Sequence, residues 1–404
     1  MTDIKNTPAA GALTGVKVVD LSRVLAGPLC TQILSDHGAS VIKIEPPGGD
    51  ETRGWGPPFL DDTGAYFVGI NRNKRDMVLD LNQPKAREVV LRLLEDADVL
   101  VENFKTGTLE KWGLGYEEVL KARFPKLIYA RISGFGDDGP LGGMPGYDAV
   151  LQAMCGVMSI NGNPEAGPTR IGISIVDMAT GLNAVIGILL AMTERNRSGR
   201  GQAVELTLYD TALSLLHPHA ANWFMDGRVP QLVGSGHLTI MPYDKFSVRN
   251  GEEIFIGIGN DGQFRKFCQH VGLDGVSSDP RFSRNGDRTV NRHELRPLIE
   301  QALAERDATD LCEALLRVGV PAGPVLSVPE AFAHPHTAHR NMRVELGSEQ
   351  SGTGVPVKLS LTPGQARTPA PRMGQHSREV LAQLGYTETE IAAMLASGAA
   401  KADS

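Results

Sequence analysis

Gly15-Val16-Lys17-Val18-Val19-Asp20-Leu21-Ser22-Arg23-Val24-Leu25-Ala26-Gly27-Pro28, followed by Leu34-Ser35-Asp36-His37-Gly38-Ala39-Ser40-Val41-Ile42-Lys43-Ile44-Glu45-Pro46-Pro47, carries the pattern that sets the fold. Its apolar, β-branched runs at 16–21 and 41–45 read as strands, and residues 28–36 between them read as an amphipathic helix. The alternation continues with a helix over 85–95, a strand over 99–101 and another over 127–132 that stops at Ser133-Gly134-Phe135-Gly136. Repeated strand–helix–strand units build a mainly parallel sheet. The expectation is an α/β fold with an open, doubly wound, Rossmann-like sheet, whose ligands bind beyond the carboxyl ends of the strands.

The composition shifts after Asn222. Residues 243–248 and 254–258 read as a hairpin around Arg249-Asn250-Gly251-Glu252, followed by a helix over 263–270 and a polar stretch to Asn291. Gly319-Val320-Pro321-Ala322-Gly323-Pro324 reads as a rigid closing turn. The expected organisation is a large Rossmann-like domain with a linker over 1–222, a small α+β domain over 226–324, and a return segment over 325–404 that packs on the large domain and ends in a helix at 388–397. The linker is expected at 203–222.

Net charge is -7 over 404 residues, which argues against nucleic acid or an anionic membrane surface as a partner. No basic segment followed by an apolar run stands at the N-terminus, and the apolar run at 185–192 is shorter than the ~20 residues that span a bilayer. A cytoplasmic enzyme is expected. Cys30, Cys155, Cys268 and Cys312 lie far apart and read as reduced and buried. His334, His336 and His339 surround Pro335 with no cysteine nearby, so no metal site is expected.

No Gly-x-Gly-x-x-Gly follows the first strand, which disfavours a dinucleotide-dependent dehydrogenase. Neither a Gly-x-Ser-x-Gly elbow nor a Walker A loop is present. The stretch Arg170-Ile171-Gly172-Ile173-Ser174-Ile175-Val176-Asp177-Met178-Ala179-Thr180-Gly181 reads as a strand running into a helix that opens at 179–181. At such a junction the helix dipole favours an ionised Asp177 by about 0.3–1 kcal/mol. A plain N-cap is the alternative reading. Asn71-Arg72-Asn73-Lys74-Arg75 offers three cations beside polar turn formers, in isolation a solvated charge run.

These segments, with Asp98-Val99-Leu100-Val101-Glu102-Asn103-Phe104, Gly146-Tyr147-Asp148-Ala149 and Gly199-Arg200-Gly201-Gln202, resemble in their order the class III CoA-transferases, the CaiB/BaiF family. The resemblance runs from about Gly15 to Leu384-Gly385-Tyr386. It implies two elongated chains interlinked as a homodimer, with the active site between domains of different protomers. It implies CoA or acyl-CoA as substrate, with no tightly bound cofactor, contacted through Val24, Leu25, Ala26, residues 79–82 including Leu79 and Asn82, and Asn103 and Phe104. Arg72, Lys74, Arg75 and Lys111 are the expected phosphate cations; the formyl-CoA branch has arginine at the positions of Pro46 and Lys111.

In the same resemblance Asp177 is the nucleophile. Its carboxylate attacks the donor acyl-CoA to give a mixed anhydride and CoA thiolate; the thiolate then gives an aspartyl-CoA thioester and frees the donor acid. The acceptor carboxylate reverses the steps. The racemase branch has histidine where Tyr147 stands, and a phenol with pKa ≈ 10 is a poor base near neutrality, so transfer is favoured over racemisation. Val233-Gly234-Ser235-Gly236-His237 reads as a flexible loop whose Gly234 and Gly236 expose backbone N–H groups, and Arg53 and His237 are the expected partners of a second substrate carboxylate. With Thr52-Arg53-Gly54-Trp55-Gly56-Pro57-Pro58-Phe59, that loop is most similar to the succinyl-CoA:glutarate transferase branch. The expected activity is CoA transfer from a donor such as succinyl-CoA to a dicarboxylate. The alternatives are an acyl-CoA racemase of the same family and a non-catalytic CoA-binding protein.

Overall fold

A computed structural model describes residues 11–348 and 350–403. The chain divides into two compact units. One comprises the chain as far as Val157, Ile171–His217 and the stretch from His336 on; the other comprises Met158–Arg170 and Pro218–Pro335.

The large unit is an α/β layer structure. Its strands are β1 (Lys17–Asp20), β2 (Ser40–Glu45), β3 (Arg75–Leu79), β4 (Val99–Glu102), β5 (Ile128–Ser133) and β6 (Ala203–Thr207). They lie side by side in the order β6-β5-β4-β1-β2-β3, all parallel, and Ala400–Lys401 pairs antiparallel with β3 to complete the sheet. Strand order reverses between β1 and β4, where neighbouring chains leave the sheet toward opposite sides and open a crevice at the carboxyl edge. The register Val18↔Val99 to Asp20↔Val101 puts the ends of these two strands level. Val18, Val41, Val99, Val101 and Ile128 bury one face of the sheet, and Val19, Ile44, Met77 and Leu100 bury the other. That alternation is the period-two pattern of a sheet covered on both sides.

Helix α1 (Ala26–Asp36) follows β1, α2 (Pro84–Leu94) follows β3, α3 (Asp148–Met154) lies after β5, and α4 (Ile175–Ser198) precedes β6. α4 opens four residues earlier than the sequence pattern suggests, and residues 171–174 approach it as an irregular segment rather than a strand. Two isoleucines separated by a glycine look like a strand, but no strand among the described residues pairs with them. Residues 203–207, expected to begin a linker, are the sheet's edge strand β6, and helix Leu208–Ser214 follows at once. With 24 residues and a mean hydropathy of 1.9 over its most apolar 18 residues, α4 is long and apolar enough to cross a membrane. One face of it, Val176, Thr180, Ala184, Ile188 and Ala191, instead belongs to the α/β core.

In the small unit Tyr243–Ser247 and Glu253–Gly257 form the expected hairpin. Residues 322–324, read from sequence as part of a turn, pair with Glu253–Gly257 as a third strand. Helices Asp261–Val271, Arg292–Leu303 and Ala308–Arg317 cover this sheet through Phe264, Phe267, Ile299 and Leu311. All four cysteines are free and buried.

Candidate active site

The crevice at the carboxyl ends of β1, β4 and β5 is a cavity of about 230 Å³. Val24, Leu25 and Ala26 enter it from the loop after β1, Asn103 and Phe104 from the loop after β4, and Tyr147 and Asp177 from the starts of α3 and α4. The structure thus gathers seven residues singled out from sequence into one wall. A second cavity of about 310 Å³ is lined by Pro46, Leu79, Asn82 and Trp112. Arg23, Phe104 and Lys105 line both hollows.

The loop after β1 is held in an unusual shape. Val24 has φ +67°, a left-handed conformation that a β-branched side chain resists, at a cost of order 1–3 kcal/mol. Two clamps hold it. The Arg23 N–H donates to Asn103 Oδ1 at 2.8 Å while Asn103 Nδ2 donates to the Arg23 carbonyl at 2.7 Å. Below the loop, Lys43 Nζ donates to the Ser22 carbonyl at 2.8 Å and pairs with Asp50 at 3.0 Å.

Asp177 is the third residue of α4. It does not cap that helix, and the N-cap Ser174 makes no side-chain capping bond. The cap comes from another helix: Asp148 Oδ2, at the first position of α3, accepts the N–H of Val176 at 2.8 Å and that of Asp177 at 3.3 Å. Asp177 also departs from the expectation of a carboxyl stabilised in its ionised form. Burial, and then the neighbouring charge of Asp148, push it up to about 7. Desolvation of a carboxylate and a like charge nearby exceed what one helix terminus returns. Tyr66 shares a hydrogen bond with Ser174, and burial, opposed by that bond, raises its phenol.

The expected phosphate cations are used inside the fold. Arg72 Nη2 is 2.6 Å from Asp36 and its guanidinium also holds the Thr353 carbonyl. Lys74 is buried against Asp20 at 3.1 Å, with further bonds to the Pro28 carbonyl and Asn71; burial draws its ammonium down to about 8 in spite of Asp20. Arg75 pairs with Glu379 and Gln383. Lys111 is exposed at the end of the short helix Thr108–Lys111 and lines neither hollow. Arg23, like Lys105, is a cation that sequence reasoning missed. The Arg23 guanidinium carbon stands 5.5 Å over the Phe104 ring, and its buried Nε has no hydrogen-bond partner among the described residues.

Arg53, expected to read a second carboxylate, forks onto Glu45 and stacks on Phe67 at 3.7 Å. It is committed to the buried charge network. His237 lies in the small unit, where its Nδ1 accepts the Thr239 N–H and its ring meets Tyr243 edge-on. With Gly236, Arg292 and Arg296 it lines a hollow of about 250 Å³; Gly234 has φ +64°.

A family model described as CoA-transferase family III matches residues 13–377. The chain belongs to this family. Among relatives of this transferase, the succinate–glutarate CoA-transferase of Agrobacterium fabrum is 40% identical over 96% of this chain and 99% of its own length. The succinyl-CoA:mesaconate CoA-transferase of Haloarcula hispanica is 38% identical over 93% of this chain and 97% of its own. A crystal structure of a CaiB/BaiF family protein from Brucella suis matches with a TM-score of 0.84 at 40% identity, covering 93% of this chain and all of that one. CoA thioesters are therefore substrates of this family III CoA-transferase.

Proposed function

We propose that this transferase moves CoA from succinyl-CoA to a second dicarboxylic acid, with Asp177 as the nucleophile. The observation that carries this reading is the Asp177 side chain in the wall of the crevice, next to a second, largely apolar hollow that shares Arg23, Phe104 and Lys105 with it. Glutarate and mesaconate, named for the two relatives, are both dicarboxylic acids.

The residues divide the work as follows. The apolar walls of the second hollow, with Leu79, Asn82 and Phe104, take the nucleotide end of CoA, and Arg23 and Lys105 meet its phosphates. Val24, Leu25 and Ala26 line the path of the thioester arm. The Asp177 carboxylate attacks the thioester carbonyl, the C–S bond breaks, and thiolate leaves behind an aspartyl–acyl anhydride. Thiolate attack on the aspartyl carbonyl releases succinate and leaves the aspartyl-CoA thioester, which the acceptor carboxylate opens by the reverse steps. Tyr147 is assigned as a hydrogen-bond donor to the anhydride. Recognition of the acid is assigned to His237 with Gly234 and Gly236; Arg53 has no part in it.

The protein is further proposed to act as a homodimer. Leu182, Ile186 and Leu190 expose a continuous apolar stripe along α4, opposite its core face, beside Val150 and Met154 of α3. A patch of this kind on a soluble enzyme marks an interface.

The test is incubation with succinyl-CoA alone, followed by mass spectrometry of the peptide containing residue 177. A CoA-sized adduct on Asp177 that disappears when glutarate or mesaconate is added supports transfer. Exchange of solvent deuterium into the acyl Cα without any adduct would instead support the racemase reading. An Asp177→Asn protein that folds and still exchanges CoA would overturn the nucleophile assignment.

A further inference from the structure

The cap of the nucleophile's helix is supplied by an acid on a different helix, and that acid is buried. Asp148 is 5% exposed and every bond described for its carboxylate goes to the entrance of α4 or to Gln152. Oδ2 takes the N–H groups of Val176 and Asp177; Oδ1 takes Gln152 Nε2 at 2.6 Å. Gln152, one turn further along α3, in turn accepts the Ile171 N–H at 2.9 Å. Asp148 and Gln152 therefore grip both the approach to α4 and its first turn. The residue before Asp148 is Tyr147, which shares the crevice wall with Asp177. One short helix thus sets the positions of Tyr147 and of the Asp177 backbone together.

We propose that Asp148 is a positioning residue for the transfer reaction, fixing the Asp177 carboxylate against the thioester carbonyl by holding its backbone N–H while keeping a negative charge beside it. The inference rests on the reading of Asp177 as nucleophile. A neutral cap such as serine would have satisfied the same N–H groups. Ser174 stands in the capping position, but its side chain shares a hydrogen bond with Tyr66 and makes no capping bond, so a carboxylate does the work. A buried anion next to an attacking carboxylate disfavours the ion before attack, and the repulsion is relieved as negative charge moves from Asp177 to the departing thiolate. The groups around Asp177 are Asp148 on α3, Tyr66, which feels its charge, and Tyr147, Glu51 and Arg23 on the crevice wall; α1 brings its Ala26 carbonyl and Leu29 against Gly181.

The test compares Asp148→Asn, Asp148→Ala and Asp177→Asn in the full-length protein, measuring kcat, KM for succinyl-CoA and the pH profile of kcat/KM. Asp148→Asn retains an acceptor for the N–H groups but loses the charge. It should keep KM within about threefold while the acid limb of its profile moves to lower pH, as removal of a like charge requires. Asp148→Ala loses the hold as well, and a displacement near 1 Å should lower kcat by about a hundredfold with KM little changed. An unmoved acid limb in Asp148→Asn, or equal activity of folded Asn and Ala variants, would overturn the proposal even if Asp148→Ala fails to fold. Full activity in Asp177→Asn would overturn the nucleophile reading, and the proposal with it.

Discussion

Arg53 holds Glu45 with two of its nitrogens, Nη2 at 2.6 Å from Oε1 and Nε at 2.9 Å from Oε2, while Asp76 lies 3.8 Å from the same guanidinium. Burial opposes ionisation of Glu45, but a hydrogen bond with Asp76 and the fork from Arg53 draw it down to about 2. Burial and the Glu45 charge hold Asp76 well above the ordinary carboxyl range. The two acids thus share one proton beneath the Arg53 guanidinium, with the Lys43 charge also acting on Glu45. Arg53→Ala removes the cation in direct contact with this pair, and removing one partner of a buried ion pair costs about 3–5 kcal/mol. Urea unfolding should show that loss, and the ratio of kcat/KM for a dicarboxylate to that for a matched monocarboxylate should stay within about twofold in any active fraction. A normal unfolding midpoint with a selective loss of dicarboxylate use would show that Arg53 reads substrate after all.

The Asp177 carboxyl, raised to about 7 by burial and then by Asp148, predicts an acid limb in kcat/KM. Only the carboxylate attacks, so the rate should fall about tenfold per pH unit well below 7. The sign for stability is the opposite. An acid whose folded pKa exceeds its unfolded value near 3.8 binds its proton more tightly in the native state, so raising the pH from 4 to 7 weakens the fold. Asp177→Asn should therefore be more stable than the parent at pH 8, on the order of 1–3 kcal/mol after allowance for partial exposure, with the gain vanishing near pH 4. Equal unfolding midpoints at both pH values would contradict the raised pKa.

Arg23 Nε has no hydrogen-bond partner among the described residues, and Lys105 lines the same two hollows. Arg23→Ala should raise KM for acyl-CoA about tenfold to a hundredfold, the loss of one charge-assisted hydrogen bond at roughly 1.5–3 kcal/mol. Added salt should weaken binding less in that variant than in the parent. An acyl-CoA shortened to its pantetheine arm should not distinguish the two proteins; if it does, Arg23 acts on the thioester end.

Leu190 on the outer face of α4 is the most exposed of that helix's large apolar side chains. Leu190→Glu puts a charge into the proposed self-association surface, where an unpaired buried ion is strongly disfavoured. Sedimentation should show the parent as a dimer and the variant shifted toward monomer, with activity falling in step. A monomeric parent of full activity would exclude the dimer.

Much of the large unit was legible because β-branched runs and helical spacing alternate through residues 16–133, while the Val24–Ala26 loop, which lines the crevice, was singled out by the family resemblance and not by any local pattern. Charge runs were the poorest guide. Arg72, Lys74 and Arg75 are neighbours in sequence, but Asp36, Asp20 and Glu379 neutralise them from places that no local pattern reveals. Arg53 failed for the same reason, since its partner Glu45 is eight residues away and was read only as the end of a strand. Arg23 was missed as a lone cation in a loop, although its place just past the end of β1 at the sheet's point of reversal was a usable signal. Strand 322–324 contains a glycine and a proline, and only pairing with Glu253–Gly257 makes it extended.

The pairing of Ala400–Lys401 with β3 ties the nucleotide-facing hollow to the order in which the polypeptide is made. A ribosome delivers β3 early and its covering strand only after the whole of Pro218–Pro335 has emerged. Throughout that interval the outer edge of β3, next to Leu79, has free backbone groups, and an uncovered edge is a template for pairing with other chains. The large unit's sheet is thus completed only after the small unit has been synthesised, and its most exposed moment falls in that interval. A charge or proline set into Ala400–Lys401 would weaken the strand that ends this vulnerability and lengthen the exposure of β3.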